Sequence, residues 1–233
     1  MQQPCSKCIS RWLSLAFVLL KIAIASAADI NAGLAPVLTF FDVRVEMRGH
    51  TANVLRQKAE AVGEHPSQQT IVLQEIARPE RFAALERQLL DVSSADGQDS
   101  GTLSMGIVED LIAPPDQRFT REFDDISTST KPRIDASANL YVITNLEIAA
   151  SNLPQAELAL HNLATAERQI NGNRGVEILR QASHANHFNL ISAWTGEAPF
   201  HAFAASIGAR HFRQTIAPLL GSPYDERLYS RVY

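Results

Sequence analysis

Two segments of this 233-residue chain align with each other without a gap, and this internal similarity constrains the fold more than any other feature. Residues 72–88, VLQEIARPERFAALERQ, and 178–194, ILRQASHANHFNLISAW, both have the pattern of a strand, a polar turn and a second strand. Segments 112–119 and 216–228 match in the same way, each leading from Ile-Ala-Pro to an acidic, arginine-containing strand. A repeat of about a hundred residues indicates a duplicated domain rather than a solenoid. Chance similarity between two hairpins is the alternative.

The first half has the pattern of a strand, a helix, a hairpin, a loop, a short helix and a last strand. These elements are predicted over residues 37–45, 51–62, 70–87, 91–101, 105–112 and 117–123. The first helix is predicted from apolar residues at helical spacing, with Gly63 just past its end. The loop is predicted from a polar, glycine-containing run without periodicity.

The second half repeats the same order of elements more clearly. Its strands are predicted over 140–148, 175–183, 187–194 and 226–233, and its helical regions over 154–170 and 199–220. Pro154 suits the first turn of a helix because its missing N–H would be unpaired there. The buried stripe of that helix is predicted to be Ala156, Leu160, Leu163, Ala166 and Ile170, with Gly172 after its end. The second helical region is predicted to be interrupted near Gly208.

The predicted fold class is α+β, because both halves have the ferredoxin-like order β-α-β-β-α-β. Four such strands bury one face under the helices and leave the other face without a cover, and each half can supply that cover for the other. The repeats are placed at 36–124 and 139–233, with a polar linker at 125–138.

The N-terminus has the pattern of a secretory signal peptide. Lys7 and Arg11 precede an apolar run at 12–20, and residues 25–27, Ala-Ser-Ala, have the small side chains of a cleavage site. The alternative is a membrane anchor, but the apolar run is shorter than the roughly 20 residues that a spanning helix needs, and Lys21 follows it directly. We therefore expect cleavage after residue 27 and no stable membrane span in the mature, periplasmic or secreted protein.

Cleavage changes the composition of the chain. Cys5 and Cys8 are lost, so the mature chain has no cysteine and forms no disulfide. Three basic residues and no acidic residue leave with the segment, which changes the formal charge from −4 to −7. A mildly acidic protein is a poor candidate for binding nucleic acid, which favours basic patches.

Several motifs of the second half together resemble a known family. The strand that ends in Trp194 is followed by a helix start at 197–200 (EAPF), by the stretch 206–212, and by Pro-Leu-Leu at 218–220 before a tyrosine-containing strand. This half resembles an antibiotic biosynthesis monooxygenase (ABM) domain of the dimeric α+β barrel superfamily, over about 139–233.

The resemblance carries expectations about architecture and chemistry. The first half matches the family in topology but in few motif residues, so a tandem chain is similar to a pseudo-dimer within one chain; further homo-oligomerisation is left open. The family resemblance implies oxidation of a phenol or quinol by molecular oxygen, without a metal, flavin or haem cofactor. The protein would supply a dry pocket, an aromatic wall and polar groups that position the substrate anion.

The resemblance and the residue types nominate a site in the second half. Its candidate catalytic residues are Trp194, His201 and His211, and its candidate substrate-binding residues are Phe200, Phe203 and Tyr229. A neutral imidazole in the covering helices could take a phenolic proton at ambient pH. The alternatives are a core tryptophan with its indole N–H satisfied, histidines on a helix surface, and a strand face at Tyr229 that is solvated or lies between the sheets.

The chain differs from the family pattern at two positions. Phe203 stands where the family often has a histidine, and Leu190 stands where some members have an asparagine on the strand face of Trp194. Asn189 is expected on the opposite face because side chains alternate along a strand. His184 and His187 flank a turn and belong to no metal-binding motif of recognisable spacing.

Two functions of different class follow from these observations. The first is an exported cofactor-independent oxygenase that acts on quinol-like small molecules in a pocket of the second half. The second is a non-catalytic binding or structural protein that has kept the barrel fold. Trp194 favours the first hypothesis, and the shifted histidine together with the divergent first half favours the second.

The signal-peptide interpretation predicts a mature N-terminus at or near Ala28, because the Ala-Ser-Ala motif follows the apolar run directly. Intact-mass measurement of the protein recovered after export checks this expectation. A mass that retains residues 1–27 would favour the membrane-anchor alternative.

Overall fold

Eight antiparallel strands form a closed barrel in the computed structural model, which describes residues 35–63, 69–88, 106–123 and 134–232. The strands are β1 Ala35–Asp42, β2 Gln69–Glu75, β3 Arg81–Gln88, β4 Asp116–Glu122, β5 Leu140–Glu147, β6 Asn173–Gln181, β7 His187–Trp194 and β8 Asp225–Arg231. Their positions agree with the predicted strands to within a few residues at each end.

Four α-helices of the described residues lie outside the barrel. They are α1 Arg48–Gly63, α2 Leu153–Arg168, α3 Glu197–Ala204 and α4 Ile207–Ile216. Short 3-10 turns occur at Val45–Met47, Val108–Asp110, Ala150–Asn152 and Ala217–Leu219. Among the described residues, no helix is both long enough and apolar enough to cross a membrane.

The two halves contribute four strands each, in the same spatial order. The order is β4-β1-β3-β2 in the first half and β8-β5-β7-β6 in the second. Two antiparallel seams close the barrel: β2 pairs with β8 and β4 pairs with β6, each through three residue pairs. The predicted α+β class and the intrachain pairing of two sheets are confirmed.

Alternation along the strands divides the apolar residues between two environments. On β5, Tyr141 and Ile143 face the barrel interior, whereas Leu140, Val142 and Leu146 pack against the second-half helices. The interior is filled by side chains of both halves: Leu38, Ile71, Leu73, Ala83, Leu85, Ile134, Ala138, Tyr141, Ile143, Leu179, Ile191, Ala193 and Tyr229. A barrel of this size is therefore a packed core rather than a channel.

The predicted short helix over 105–112 is wrong over its described part, which contains only the 3-10 turn Val108–Asp110. The Asp110 carboxylate accepts a hydrogen bond from Thr51 Oγ1 at 2.8 Å, and Leu111 forms a β-bridge with Val43. These two contacts hold residues 110 and 111 against Thr51 and Val43. The β-bridge at Leu111 requires an extended backbone, so a helix cannot continue through this residue. The predicted loop at 91–101 and the N-terminal segment 1–27 lie outside the described residues.

Two other predictions need adjustment. The buried stripe of α2 is Ala156, Leu160, Leu163, Ala164 and Glu167, and Ala166 is exposed. The predicted linker contains a packed turn, in which Ile134 and Ala138 are buried and Tyr141 Oη donates to the Asp135 carbonyl at 2.9 Å. Residues 125–133 of that linker lie outside the described residues.

A buried ion pair joins the two halves inside the barrel. The guanidinium of Arg87 on β3 contacts the carboxylate of Glu177 on β6, and these side chains are 2% and 0% exposed. Glu177 Oε1 also accepts the backbone N–H of Ile134 at 3.0 Å, and Arg87 Nε donates to Gln69 Oε1 at 3.1 Å. A second carboxylate, that of Glu122 on β4, lies 3.6 Å from Arg87.

This geometry predicts that Arg87→Met destabilises the fold by about 3–5 kcal/mol, because it leaves the Glu177 carboxylate buried without its cation. Urea unfolding followed by circular dichroism measures the change. The double variant Arg87→Met/Glu177→Gln should recover a large part of the loss, since Gln keeps an acceptor for Ile134 without the charge. Arg81→Met is the control, because its partner Asp42 is half exposed and we expect a change below about 1 kcal/mol. A loss in Arg87→Met no larger than in this control would contradict the assignment.

Candidate functional site

The site lies under the second-half helices, on the outer face of its sheet. Helix α2 presents Leu160 and Leu163 to this face, and α4 presents Phe212 and Ile216. Apolar residues three, four and seven apart along each helix form the buried stripe, and the polar residues between them face solvent. The two helices and the sheet therefore enclose an apolar layer.

Two local features place the covering helices. Gly172, in the turn after α2, has φ of +93°, and a Cβ atom there would lie 2.6 Å from Cβ of Pro199. A glycine therefore permits the close approach of α3 to this turn. Helix α4 begins after Ser206, whose hydroxyl accepts the backbone N–H of Ala209 at 3.1 Å as an N-terminal cap.

A small inner cavity of about 20 Å³ lies between the sheet and these helices. Its lining combines apolar and polar side chains: Val142, Thr144, Leu163, Glu167, Leu190, Ser192, Phe200, Phe203, Ala209, Phe212, Arg213, Tyr224 and Glu226. This volume accommodates about one water molecule. Two carboxyls, three hydroxyls, a guanidinium and several aromatic rings thus converge on one small space.

Among the residues that line this cavity, Glu167 has a strongly raised pKa. Its side chain is buried in the apolar layer, and this burial raises the pKa of the carboxyl to about 8. A hydrogen bond with Ser192 opposes the increase, and the nearby Glu226 carboxylate adds to it. The ionised form is disfavoured because the layer cannot solvate its charge. Glu167 therefore exchanges its proton near physiological pH, unlike an exposed glutamate.

Trp194 is linked to this carboxyl through Ser192. The indole Nε1 donates to Ser192 Oγ at 2.9 Å, and Ser192 is in turn hydrogen-bonded to Glu167. When Glu167 is ionised, the hydroxyl accepts from the indole and donates to the carboxylate, so both hydrogen bonds have a consistent direction. Trp194 itself lies behind the cavity lining, with its ring centroid 5.8 Å from Phe200 and 5.4 Å from Phe203.

A second polar group lines the same cavity. The hydroxyl of Tyr224 donates to Glu226 Oε2 at 2.9 Å. Burial, reinforced by the Glu226 carboxylate, raises the pKa of the Tyr224 hydroxyl, and a hydrogen bond with Thr144 opposes the increase. Tyr224 is therefore a neutral hydrogen-bonding group at physiological pH.

An outer groove between α2 and α4 adjoins the inner cavity. It has a volume of about 230 Å³ and is lined by Ala159, Asn162, Leu163, Ala166, Gly208, His211, Phe212 and Thr215. Leu163 and Phe212 line both the groove and the cavity. These two side chains form the partition between solvent and the Glu167 carboxyl.

The structure brings three of the predicted site residues together: Trp194, Phe200 and Phe203 pack around one side of the cavity. His201 is exposed, with its ring centroid 5.4 Å from that of Phe200, and His211 lines the outer groove. Tyr229 lies on the opposite face of the sheet, inside the barrel.

Sequence reasoning missed Glu167 and Ser192. Glu167 follows Leu163 by four residues and therefore lies on the buried stripe of α2, and an acidic residue on such a stripe is the signal that could have identified it. Ser192 lies two residues before Trp194, on the same strand face. Within the described residues, no group of three or more histidine, cysteine or acidic side chains could hold a metal ion.

The pKa of Glu167 predicts a pH-dependent stability. The folded state raises this pKa from 4.5 to about 8, so the neutral carboxyl is favoured in the fold. Its contribution is complete below pH 4.5 and is lost as the pH rises through 8. Because Gln does not titrate, Glu167→Gln should gain about 2–4 kcal/mol relative to wild type between pH 4 and pH 8.

Thermal or urea unfolding at both pH values measures this difference. Glu60→Gln, at an exposed position of α1, is the control and should show no such gain. A gain that is the same at pH 4 and pH 8 would contradict the raised pKa of Glu167.

Comparison with known protein families finds a match in the second half of the chain. The family model described as antibiotic biosynthesis monooxygenase matches residues 139–217, about a third of the chain. A comparison with curated proteins gave no match.

Several solved structures share the fold of the whole chain. A candidate monooxygenase from Fusobacterium nucleatum has a TM-score of 0.68 at 9% identity, over 86% of this chain and 94% of that one. A candidate monooxygenase from Lactobacillus acidophilus has a TM-score of 0.64 at 8% identity, over 85% and 95%. An anthrone oxidase-like protein has a TM-score of 0.61 at 13% identity, over 86% and 92%. Residues 139–217 therefore match the antibiotic biosynthesis monooxygenase family model, and the described part of the chain shares the fold of these three structures.

Proposed function

We propose that this protein oxidises a small phenol or quinol with molecular oxygen at the inner cavity of the second half. The observation that carries the proposal is a buried carboxyl beside aromatic rings, within the segment that matches the monooxygenase family. One oxygen atom of O2 enters the ring as a carbonyl oxygen. The second oxygen leaves as water with the phenolic hydrogen and the hydrogen of the attacked carbon. The substrate loses the four electrons that the oxygen molecule gains.

The lining supports this reaction by excluding water and by contacting an aromatic ring. Phe200, Phe203 and Phe212 supply apolar faces, and Trp194 holds the Ser192 hydroxyl by its indole N–H. In such a dry site, hydrogen bonds to a phenolate are stronger than in water. The deprotonated ring is the electron donor to oxygen, so stabilising the anion raises the rate.

Access to the cavity requires movement of the partition. About 20 Å³ is too small for an aromatic ring, whereas the outer groove of about 230 Å³ begins on the other side of Leu163 and Phe212. In the proposed cycle these two side chains rotate away, and the groove and the cavity merge into one pocket. His211 would contact the substrate at the entrance, and His201 would act at the rim beside Phe200.

The substrate class is proposed from the same surfaces. A mostly apolar groove joined to a cavity that has carboxyl, hydroxyl and guanidinium groups among its aromatic rings suits a molecule with an apolar ring system and a few hydroxyls. The similarity in fold to an anthrone oxidase-like protein makes fused-ring phenols reasonable members of a test panel. Export to the periplasm or beyond remains part of the proposal, on the signal-peptide pattern of residues 1–27.

Oxygen uptake by the purified protein tests the function directly. With a panel of hydroquinones and anthrone, and without added cofactor, we expect uptake of one O2 for each quinone formed. Trp194→Phe should lower kcat by about tenfold, because Ser192 loses one hydrogen bond worth roughly 1.4 kcal/mol.

Tyr141→Phe is the matched control, since it removes one buried hydrogen bond on the barrel-interior face. It should leave kcat unchanged. Equal turnover in wild type and Trp194→Phe would remove Trp194 from the mechanism. The absence of uptake with every member of the panel would favour the non-catalytic binding alternative.

A further inference from the structure

We infer that Glu167 is the base that takes the phenolic proton from a substrate bound in the inner cavity, with Ser192 and Trp194 as the residues that position its carboxylate. This inference rests on the proposed function and names the residue that starts the reaction. The sequence had nominated histidines for this role, and neither His201 nor His211 lines the inner cavity.

The first argument is the position of the carboxyl. Glu167 is 2% exposed and lines the cavity together with Ser192 and three phenylalanine rings. A phenol that enters with its ring among the phenylalanines can therefore direct its hydroxyl only toward a polar part of the lining. A general base must lie within hydrogen-bond reach of the proton that it removes, and Glu167 meets this condition for a group in this space.

The second argument is the orientation of the carboxylate. The Trp194 indole donates a hydrogen bond to the Ser192 hydroxyl, and this hydroxyl donates in turn to the Glu167 carboxylate. It engages one side of the carboxylate and keeps the side chain in one orientation. The lone pairs that remain are available to a phenolic O–H. Trp194 and Ser192 thus act through Glu167 as positioning residues.

The third argument is proton affinity. A phenol has a pKa of about 10, far above the value of about 4 for an exposed glutamate. Burial raises the pKa of Glu167 to about 8, which brings the base closer to the substrate in proton affinity. Proton transfer is most efficient when the pKa of the base lies near the working pH.

Charged and polar groups on every element around the cavity contribute to this environment. Glu226 on β8 favours the protonated form of Glu167, and Arg168 on α2 favours the ionised form. The other polar lining groups are Arg213 on α4, Thr144 on β5, Ser192 on β7 and Tyr224 before β8.

The proton step balances within the proposed reaction. The phenolic O–H bond breaks, its proton moves to a carboxylate oxygen of Glu167, and the electron pair remains on the phenolate oxygen. When the second atom of O2 leaves as water, Glu167 returns this proton to it. The hydrogen of the attacked ring carbon supplies the other proton of the water, so Glu167 is ionised again at the end of the cycle.

The test compares wild type, Glu167→Gln and Glu157→Gln as the matched control on the same helix, where Glu157 contacts Arg180 outside the cavity lining. Oxygen uptake is measured against pH with hydroquinone and with 2,5-difluorohydroquinone, whose hydroxyls are more acidic and whose ring keeps two carbon-bound hydrogens. Wild type and Glu157→Gln should show a rate that rises through pH 8 and then levels, as Glu167 ionises. Glu167→Gln should lose about 10²–10⁴-fold with hydroquinone, the usual contribution of a general base.

The substrate dependence separates a base from a structural residue. The loss in Glu167→Gln should be much smaller with 2,5-difluorohydroquinone, because this substrate ionises more readily without a base. Equal losses with both substrates, or no loss with either, would overturn the inference.

A second measurement keeps the inference distinct from the proposed function. The probe is 4-cyanophenol, a ring too electron-poor to be oxidised, added at pH 8, where a large part of Glu167 is ionised and a large part of the probe still carries its hydroxyl proton. In infrared difference spectra we expect a protonated-carboxyl C=O band in wild type and in Glu157→Gln, and no such band in Glu167→Gln. If no variant consumes oxygen but this band forms, the proposed function fails and the proton-accepting role of Glu167 stands. If oxygen is consumed but the band is absent from wild type, the inference fails and the function stands.

Discussion

Pairing of the two halves at their sheet edges is the constraint on which the rest of the structure depends. Each half has a four-stranded sheet with two apolar faces, and its helices can cover only one of them. The seams between β2 and β8 and between β4 and β6 bring the uncovered faces together as a barrel interior. Each seam is short, so the packing of the interior side chains and the Arg87–Glu177 ion pair must supply much of the attachment. Loss of one half would expose the interior face of the other.

This division of faces also decides where chemistry can occur. The barrel interior is filled by thirteen buried apolar side chains, and the charges of Arg87 and Glu177 inside it are paired with each other. Under the helices of the second half, a small cavity is lined by Ala209, Ser192 and Glu167. The barrel therefore supplies rigidity, and the layer under the helices supplies the site.

Much of this fold could be predicted from the sequence because its signals are local. Strand alternation, the two hairpins and Pro154 at the start of α2 depend on residues close together in the chain, and the aligned segments 72–88 and 178–194 indicated two related sheets. The register of the two seams was not predictable, since the β2–β8 seam joins residues 154 to 158 positions apart and the β4–β6 seam joins residues 57 to 61 positions apart. The 3-10 turn at Val108–Asp110 was missed for the same reason, because Asp110 is fixed by Thr51 on α1.

The site was predicted in outline and missed in its centre, and the cause is a difference of one residue on α2. The predicted stripe included Ala166 and contained only apolar residues, whereas the helix buries Glu167 and exposes Ala166. Choosing only apolar residues predicts the buried stripe correctly when burial serves stability alone. Burying a carboxyl instead costs free energy, because the carboxyl loses its hydration. Gln would satisfy Ser192 without that penalty. The fold accepts a carboxyl at this point while the rest of the second half remains well packed, and local destabilisation of this kind is concentrated at functional sites. The departure from the apolar pattern supports the proposal that Glu167 acts as the base, with Trp194 acting on it through Ser192.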